Sequence, residues 1–139
     1  MSQLPAVAKI IWAAGVLDGE GCIYVAKNNA YQNYSLMVRV CMSDESTIRR
    51  LYSIFKVGSV YSYQPKKKNR KQMWNWACSS IEAKNVLAAL LPYLWTKKKQ
   101  ALVAIAFQKC KSNLKRGTLQ SRSNMKTQHR FYTVLREMK

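Results

Sequence analysis

The sequence predicts an α+β fold in the order α-β-β-α-β-β-α-α-α, with the four strands in one antiparallel sheet. Two kinds of periodicity carry this reading. Some segments place apolar residues at helical spacing, and others alternate them every second residue. A third observation is the grouping: a helix followed by two closely spaced strands occurs twice, an α-β-β repeat inside one domain of 139 residues.

The segment "AVAKIIWAAGVL" reads as a helix over residues 6 to 18, broken by Gly19 and Gly21. "CIYVAKN", Cys22 to Asn28, is rich in β-formers and reads as a strand; "NNAYQN" supplies the turn. In "YSLMVRVCM", Leu36, Val38 and Val40 alternate with Ser35, Met37, Arg39 and Cys41, giving the second strand one apolar face. Ser43 or Asp44 is the N-cap of a second helix with Ile48, Leu51, Ile54 and Phe55 on one stripe, ended by Gly58. "GSVYSYQ" and "QMWNWACS" are strands three and four, joined by the basic tip "PKKKNRK". "SIEAKNVLAALLPYL" is a helix that Pro92 ends or bends, and residues 96 to 109 form another. After a polar stretch with Gly117, a last helix carries Phe131, Val134, Leu135 and Met138. The domain core spans about residues 7 to 109, with a helical extension over 110–139.

Hydrophobic residues make up 48% of the chain, so it can bury a core; 24 Lys and Arg face only 6 Asp and Glu, for a net charge of +18. A folded domain with this imbalance points to a polyanion, above all nucleic acid. No stretch is long and apolar enough to span a bilayer, and Lys9 interrupts the only apolar run that a leader peptide would need. A membrane and a small-molecule substrate are therefore not expected partners. Cys22, Cys41, Cys78 and Cys110 form no CxxC pair, and each sits in an apolar segment. That suits free, buried thiols in a reducing compartment rather than zinc ligands. His129, the only histidine, reads as a lone exposed side chain, which excludes histidine-based catalysis.

The residues "AAGVLDGEG", Ala13 to Gly21, resemble the signature of the LAGLIDADG homing endonucleases. Ala14, Gly15, Asp18, Gly19 and Gly21 match, Val16 and Leu17 are conservative, and Glu20 stands at the final acid. "PYLWTKKKQ" resembles the family's later lysine-bearing block, and the resemblance extends over about residues 7–109. It implies the αββαββα fold: a curved four-stranded antiparallel sheet with helices on one face. It also implies a DNA endonuclease of the kind carried by mobile introns. A single motif implies a homodimer, with Ile11, Ala14, Gly15, Asp18 and Gly19 at the interface. Gly15 and Gly19, four apart, would let two helix backbones approach closely.

Glu20 is then expected to be a catalytic metal ligand for Mg2+ (or Mn2+), with the Gly19 carbonyl beside it. Asp18 is expected to bond backbone at the helix end. Lys97 fits the family's catalytic lysine, with Lys98 and Lys99 as alternatives. One departure is Met42, which stands about where many members have a water-ordering glutamine; Ser43, Arg39 or Arg49 are the substitutes in reach. The partner is double-stranded DNA, met in the major groove by the non-core face of the sheet. That face is expected to offer Tyr24, Ala26 and Asn28, then Ser35, Met37, Arg39 and Cys41, then Tyr61 and Tyr63, and Asn75. If strand four is shifted by one residue, Trp74 and Trp76 face the groove instead. Lys27, Lys66, Lys67, Lys68, Arg70 and Lys71 would grip phosphate from the hairpin tips. A rival reading keeps the fold but loses cleavage, giving a DNA-binding regulator or an RNA-splicing maturase.

Overall fold

A computed structural model describes residues 6–28, 33–112 and 122–138. The turn joining the first two strands and the stretch around Gly117 lie outside them. The order is α1 (Ala6–Glu20), β1 (Gly21–Asn28), β2 (Asn33–Met42), α2 (Glu45–Phe55), β3 (Ser59–Tyr63), β4 (Met73–Ser79), α3 (Ser80–Leu90), a 3-10 turn (Leu91–Tyr93), α4 (Lys98–Ser112) and α5 (Arg122–Glu137). The strands form one antiparallel sheet in the order β1-β2-β4-β3, so β2 and β4 are internal. This is the α+β architecture expected from the sequence, with all nine elements in order.

The alternation along each strand decides the layering. Ile23 and Val25 of β1, Tyr34, Leu36, Val38 and Val40 of β2, and Trp76 and Cys78 of β4 are all buried in one core cluster. Ala13, Ala14, Leu17, Ile48, Leu51, Leu87 and Phe107 complete that cluster from the helical side, and Leu135 brings α5 into it. Trp76 settles the register of β4. Its indole is 1% exposed, stacks on Phe55 with ring centroids 5.6 Å apart, and donates Nε1–H to the Val57 carbonyl at 3.0 Å. The alternative in which Trp74 and Trp76 face the groove is excluded.

The ends of α1 and α2 differ from the sequence reading. Helix α1 does not break at Gly19; it runs to Glu20. Gly21 is the residue that ends it. A Cβ there would lie 2.2 Å from Leu17 Cδ1 and 2.7 Å from the Leu17 carbonyl oxygen, so only glycine lets β1 double back over the last helical turn. Helix α2 starts as expected, with the Asp44 carboxylate accepting the Thr47 N–H (3.1 Å) and the Ser46 hydroxyl (3.0 Å). Those bonds, led by the one from the Thr47 hydroxyl, hold its pKa below the usual carboxylate value. It ends at Phe55, before Gly58, because Lys56 adopts a left-handed conformation (φ 55°) and donates its N–H to Tyr52. Gly58, at φ +84°, makes the next bend into β3.

Of the cysteines, Cys78 is the buried one, and burial pushes its thiol up to about 12. Cys22 and Cys41 are half-buried and Cys110 is exposed, because their strands and helix place them off the core face. His129 is not isolated: its Nδ1 lies 2.8 Å from the Tyr34 hydroxyl.

Gly58→Ala should destabilise the fold. An alanine would carry a strained φ, and its Cβ would lie 2.4 Å from the Ala77 carbonyl oxygen of the neighbouring strand. The expected loss is about 2 kcal/mol, a drop of several degrees in a thermal melt. An unchanged midpoint would show that the bend does not need glycine.

Candidate active site and nucleic-acid interface

The C-terminal end of α1 and the turn before α4 are joined by one carboxylate. Asp18 Oδ2 accepts the Trp95 N–H at 2.8 Å, and Oδ1 accepts the Lys97 N–H at 3.0 Å. Lys97 returns the contact, its ammonium donating to the Asp18 main-chain carbonyl at 2.7 Å. That carbonyl belongs to the last turn of α1, which has no following residue to satisfy it and carries the negative end of the helix dipole. Lys97 therefore caps α1, and Asp18 holds the turn that presents Lys97. Helix α4 begins at Lys98 rather than near residue 96, just after the turn that Asp18 holds.

Glu20, two residues on, is exposed, and among the described residues no hydrogen bond or ion pair engages its carboxylate. Of the other acids near helix ends, Glu82 of α3 and Glu137 of α5 are likewise exposed and unengaged among the described residues, but two differ. Asp44 caps α2, and Glu45 is bridged to Arg49 at 2.7 Å. The structure thus brings Gly19, Glu20 and Lys97 to one place, whereas Lys98 and Lys99 point from exposed positions on α4.

On the sheet's other face, the expected strand residues share one side. Tyr24 pairs with Met37, Ala26 with Ser35, Arg39 with Ala77, and Asn75 with both Cys41 and Tyr61. Cys22, opposite Arg39, and Ala77 belong to this face too; simple alternation along β1 and β4 identifies both. The Arg39 guanidinium lies 5.9 Å from the Tyr24 ring centroid. Partial desolvation would lower its pKa, but the Tyr24 and Tyr61 phenols outweigh that and raise it. Cys41 Sγ and the Tyr63 hydroxyl are 3.7 Å apart. Lys66, Lys67, Lys68, Arg70 and Lys71 are exposed on the β3–β4 connection, where Gln64 braces the tip by donating to the Arg70 carbonyl at 2.8 Å.

A family model described as LAGLIDADG endonuclease matches residues 13–110. The chain belongs to the LAGLIDADG endonuclease family. No curated protein sequence matches it. Among solved structures, it is similar to the homing endonuclease I-CvuI in complex with its target in the presence of 2 mM Ca (TM-score 0.78, 20% identity, covering 96% of this chain and 83% of that one). It is similar to the archaeal intron-encoded homing endonuclease I-Vdi141I complexed with DNA (TM-score 0.77, 12% identity, covering 95% and 84%). I-SmaMI, bound to cleaved DNA, matches with TM-score 0.70 and 11% identity over 94% of this chain but only 44% of its own. At these identities the likeness is one of fold. Its α+β sheet is the LAGLIDADG sheet.

Within this LAGLIDADG chain, several expected positions need correction. Asn75 lies on the face assigned to DNA but is 1% exposed, with no partner for Nδ2 among the described residues. Its short amide sits between Cys41 and the much larger Tyr61, so it presents no edge to a groove. Ala14 is 0% exposed in its own core and is not available to a second chain. The exposed stripe of α1 is instead Val7, Ile11, Gly15 and Gly19, at i, i+4 spacing; Val7 was missed by the motif-centred reading. Asp18 is half-buried and spends both carboxylate oxygens on its own chain. Lys27 pairs with Tyr34 and sets its ammonium 6.0 Å over that ring, on the helical side of the sheet. Met42 follows the core parity of Val38 and Val40, pairs with Trp74 and packs against the core. Of its expected substitutes, Arg49 is engaged by Glu45 and the Trp74 ring, and Arg39 by the tyrosines.

Asp18→Asn should loosen the turn before α4. An amide offers one acceptor where the carboxylate offers two, and turns an N–H toward a backbone N–H. The expected cost is about 1–3 kcal/mol in denaturant unfolding. An equal midpoint for Asp18→Asn and wild type would remove Asp18 from the joint.

Proposed function

We propose that this chain is a site-specific double-strand DNA endonuclease, acting as a homodimer with Mg2+ or Mn2+ on a long pseudo-palindromic site. The carrying observation is the contrast between two neighbouring acids. Asp18 is fully used by the fold, whereas Glu20 is exposed with its carboxylate unengaged beside a tethered lysine.

The donors suit a hard cation. The end of α1 offers oxygen only: the Glu20 carboxylate and main-chain carbonyls. Among the described residues, no three His, Cys, Asp or Glu side chains gather. One chain thus supplies one carboxylate, and a two-fold axis along α1 supplies a second. Magnesium keeps several waters and needs one or two carboxylates plus phosphate oxygens, so this sparse set fits it. When bound, such an ion supplies a water of lowered pKa and neutralises charge on the phosphate. The protein's own part is positional. Glu20 faces outward at the helix end, and Lys97 holds an ammonium within reach of the same ground, suited to the charge that develops on a leaving oxygen. The lysines of the β3–β4 tip would fix register on phosphate, and added salt should weaken binding steeply.

The glycines of α1 support a second copy. A Cβ at Gly15 or Gly19 would meet nothing within 4 Å in the chain itself. Glycine inside a helix costs about 1 kcal/mol relative to alanine, and nothing in the monomer requires it. A close partner backbone does. The inward orientation of Met42 favours a second reading, a binding protein that no longer cuts, since both arginines expected to replace the glutamine are engaged and only the short Ser43 is left. We further propose that the protein works in the reducing compartment holding its target, with its cysteines free.

Two outcomes test this reading. Glu20→Gln should abolish cutting of a selected duplex, at least 100-fold, while retention of that duplex on the protein is unchanged; excess chelator should stop the wild type equally. Binding without any cutting in magnesium or manganese would favour the second reading. Gly15→Leu should leave a folded, even slightly more heat-stable chain, yet sedimentation should show a monomer. If Gly15→Leu remains a dimer, α1 is not the seam.

A further inference from the structure

Arg39 stands out among the basic side chains by its position: it is exposed, has no ion pair among the described residues, and lies near the Tyr24 ring. It lies at the middle of β2, an internal strand, whereas the other cations of this face sit on the β3–β4 tip. Its direct cross-strand neighbours are small: Cys22 on β1 and Ala77 on β4. They leave a slot for a long side chain to rise from the sheet. A larger neighbour, Tyr24, stands diagonally on β1, and Tyr61 stands on β3, beyond β4. Tyr24 offers its ring to the guanidinium at 5.9 Å, and the Tyr61 phenol also contributes to its environment. No strand contains an aspartate or glutamate, so no carboxylate on this face competes for the five N–H donors.

We propose that Arg39 reads a guanine in each half of the target site, with Tyr24 as the positioning residue that presets its fork. This rests on the endonuclease reading above. A planar guanidinium donates two parallel bonds to acceptors at the spacing of guanine O6 and N7, a pair that no other base shows in the major groove. Phosphate is the competing acceptor. It is disfavoured by position, because the strand centre faces the floor of the groove while the basic tip reaches the backbone. Holding the fork in place also removes part of the entropy that a free arginine loses on binding. Two copies related by a dyad make the guanine appear symmetrically, once per half-site.

The test selects random duplexes by retention on the full-length protein in calcium buffer, so that binding is read without cutting. Wild type should enrich a pseudo-palindrome with guanine at one symmetric position, preferred by roughly 10- to 100-fold. Arg39→Gln should redirect that position toward adenine or flatten it, leaving the other positions as they were. Tyr24→Leu should reduce the preference there by a smaller factor without changing the overall fold by circular dichroism. An Arg39→Gln profile identical to wild type overturns the inference, as does a uniform loss at every position with a shallower salt slope, which marks a phosphate contact. Enrichment of a palindrome lacking the symmetric guanine also overturns it while leaving the endonuclease reading intact. If no duplex is enriched at all, the endonuclease reading fails and the inference falls with it.

Discussion

The rest of the site depends on a single carboxylate that joins two parts of the chain far apart in sequence. Asp18 accepts from the backbone of Trp95 and Lys97, 77 and 79 residues away. Without it, the end of α1 and the start of α4 would be two independent helix termini, each with unsatisfied groups. With it, the donors of the turn meet the acid, and the Asp18 carbonyl meets the Lys97 ammonium. A carboxylate at a helix C-terminus is disfavoured by the dipole, by about 0.3–1 kcal/mol. Here the backbone N–H groups and the lysine offset that cost. Glu20, two residues on, has no such compensation within the chain. On the proposed function, an acid left exposed where the helix field is already negative is where a cation would sit, on a protein whose net positive charge suits phosphate.

Much of this was legible before any coordinates. Alternation in β2 was strong enough to assign Ser35 to Cys41 to the correct faces, because a sheet with one buried side enforces period two. Asp44 was legible as a cap, and Trp76 as core, for equally local reasons. The motif singled out Glu20 and Lys97, and the fold ties Lys97 to Asp18, two residues before Glu20. Asp18 was expected to bond backbone at its own helix end. It bonds backbone, but that of a turn three helices later, and no local pattern encodes a contact of that separation.

The misreadings share one cause. Sequence periodicity says which way a side chain points, but not how much surrounds it. Asn75 points away from the core as expected and is still buried, because Tyr61 and Cys41 flank it. Ala14 belongs to the motif and yet faces inward with Ala13 and Leu17, while Val7, outside the motif, continues the exposed stripe of Ile11, Gly15 and Gly19. Gly19 was read as a break because glycine is a poor helix former, but about 1 kcal/mol is too little to end a helix whose last turn is anchored by Leu17 and capped by Lys97. Gly21, which must be glycine on steric grounds, ends it instead.

The two glycine types separate folding from assembly. Gly21 and Gly58 would force backbone clashes within the chain if they carried a Cβ, so the monomer itself requires them. Gly15 and Gly19 would not, and their helix would be more stable with almost any other residue. A sequence that keeps the second pair accepts a weaker monomer for a surface that only another backbone can use. That surface runs along α1 and ends at Glu20, so whatever docks there arrives at the same point as the unengaged carboxylate. In the proposed dimer, seam and metal site are one constraint seen from two ends. Closing the seam would bring a second carboxylate, and a cation between the two acids would relieve their repulsion.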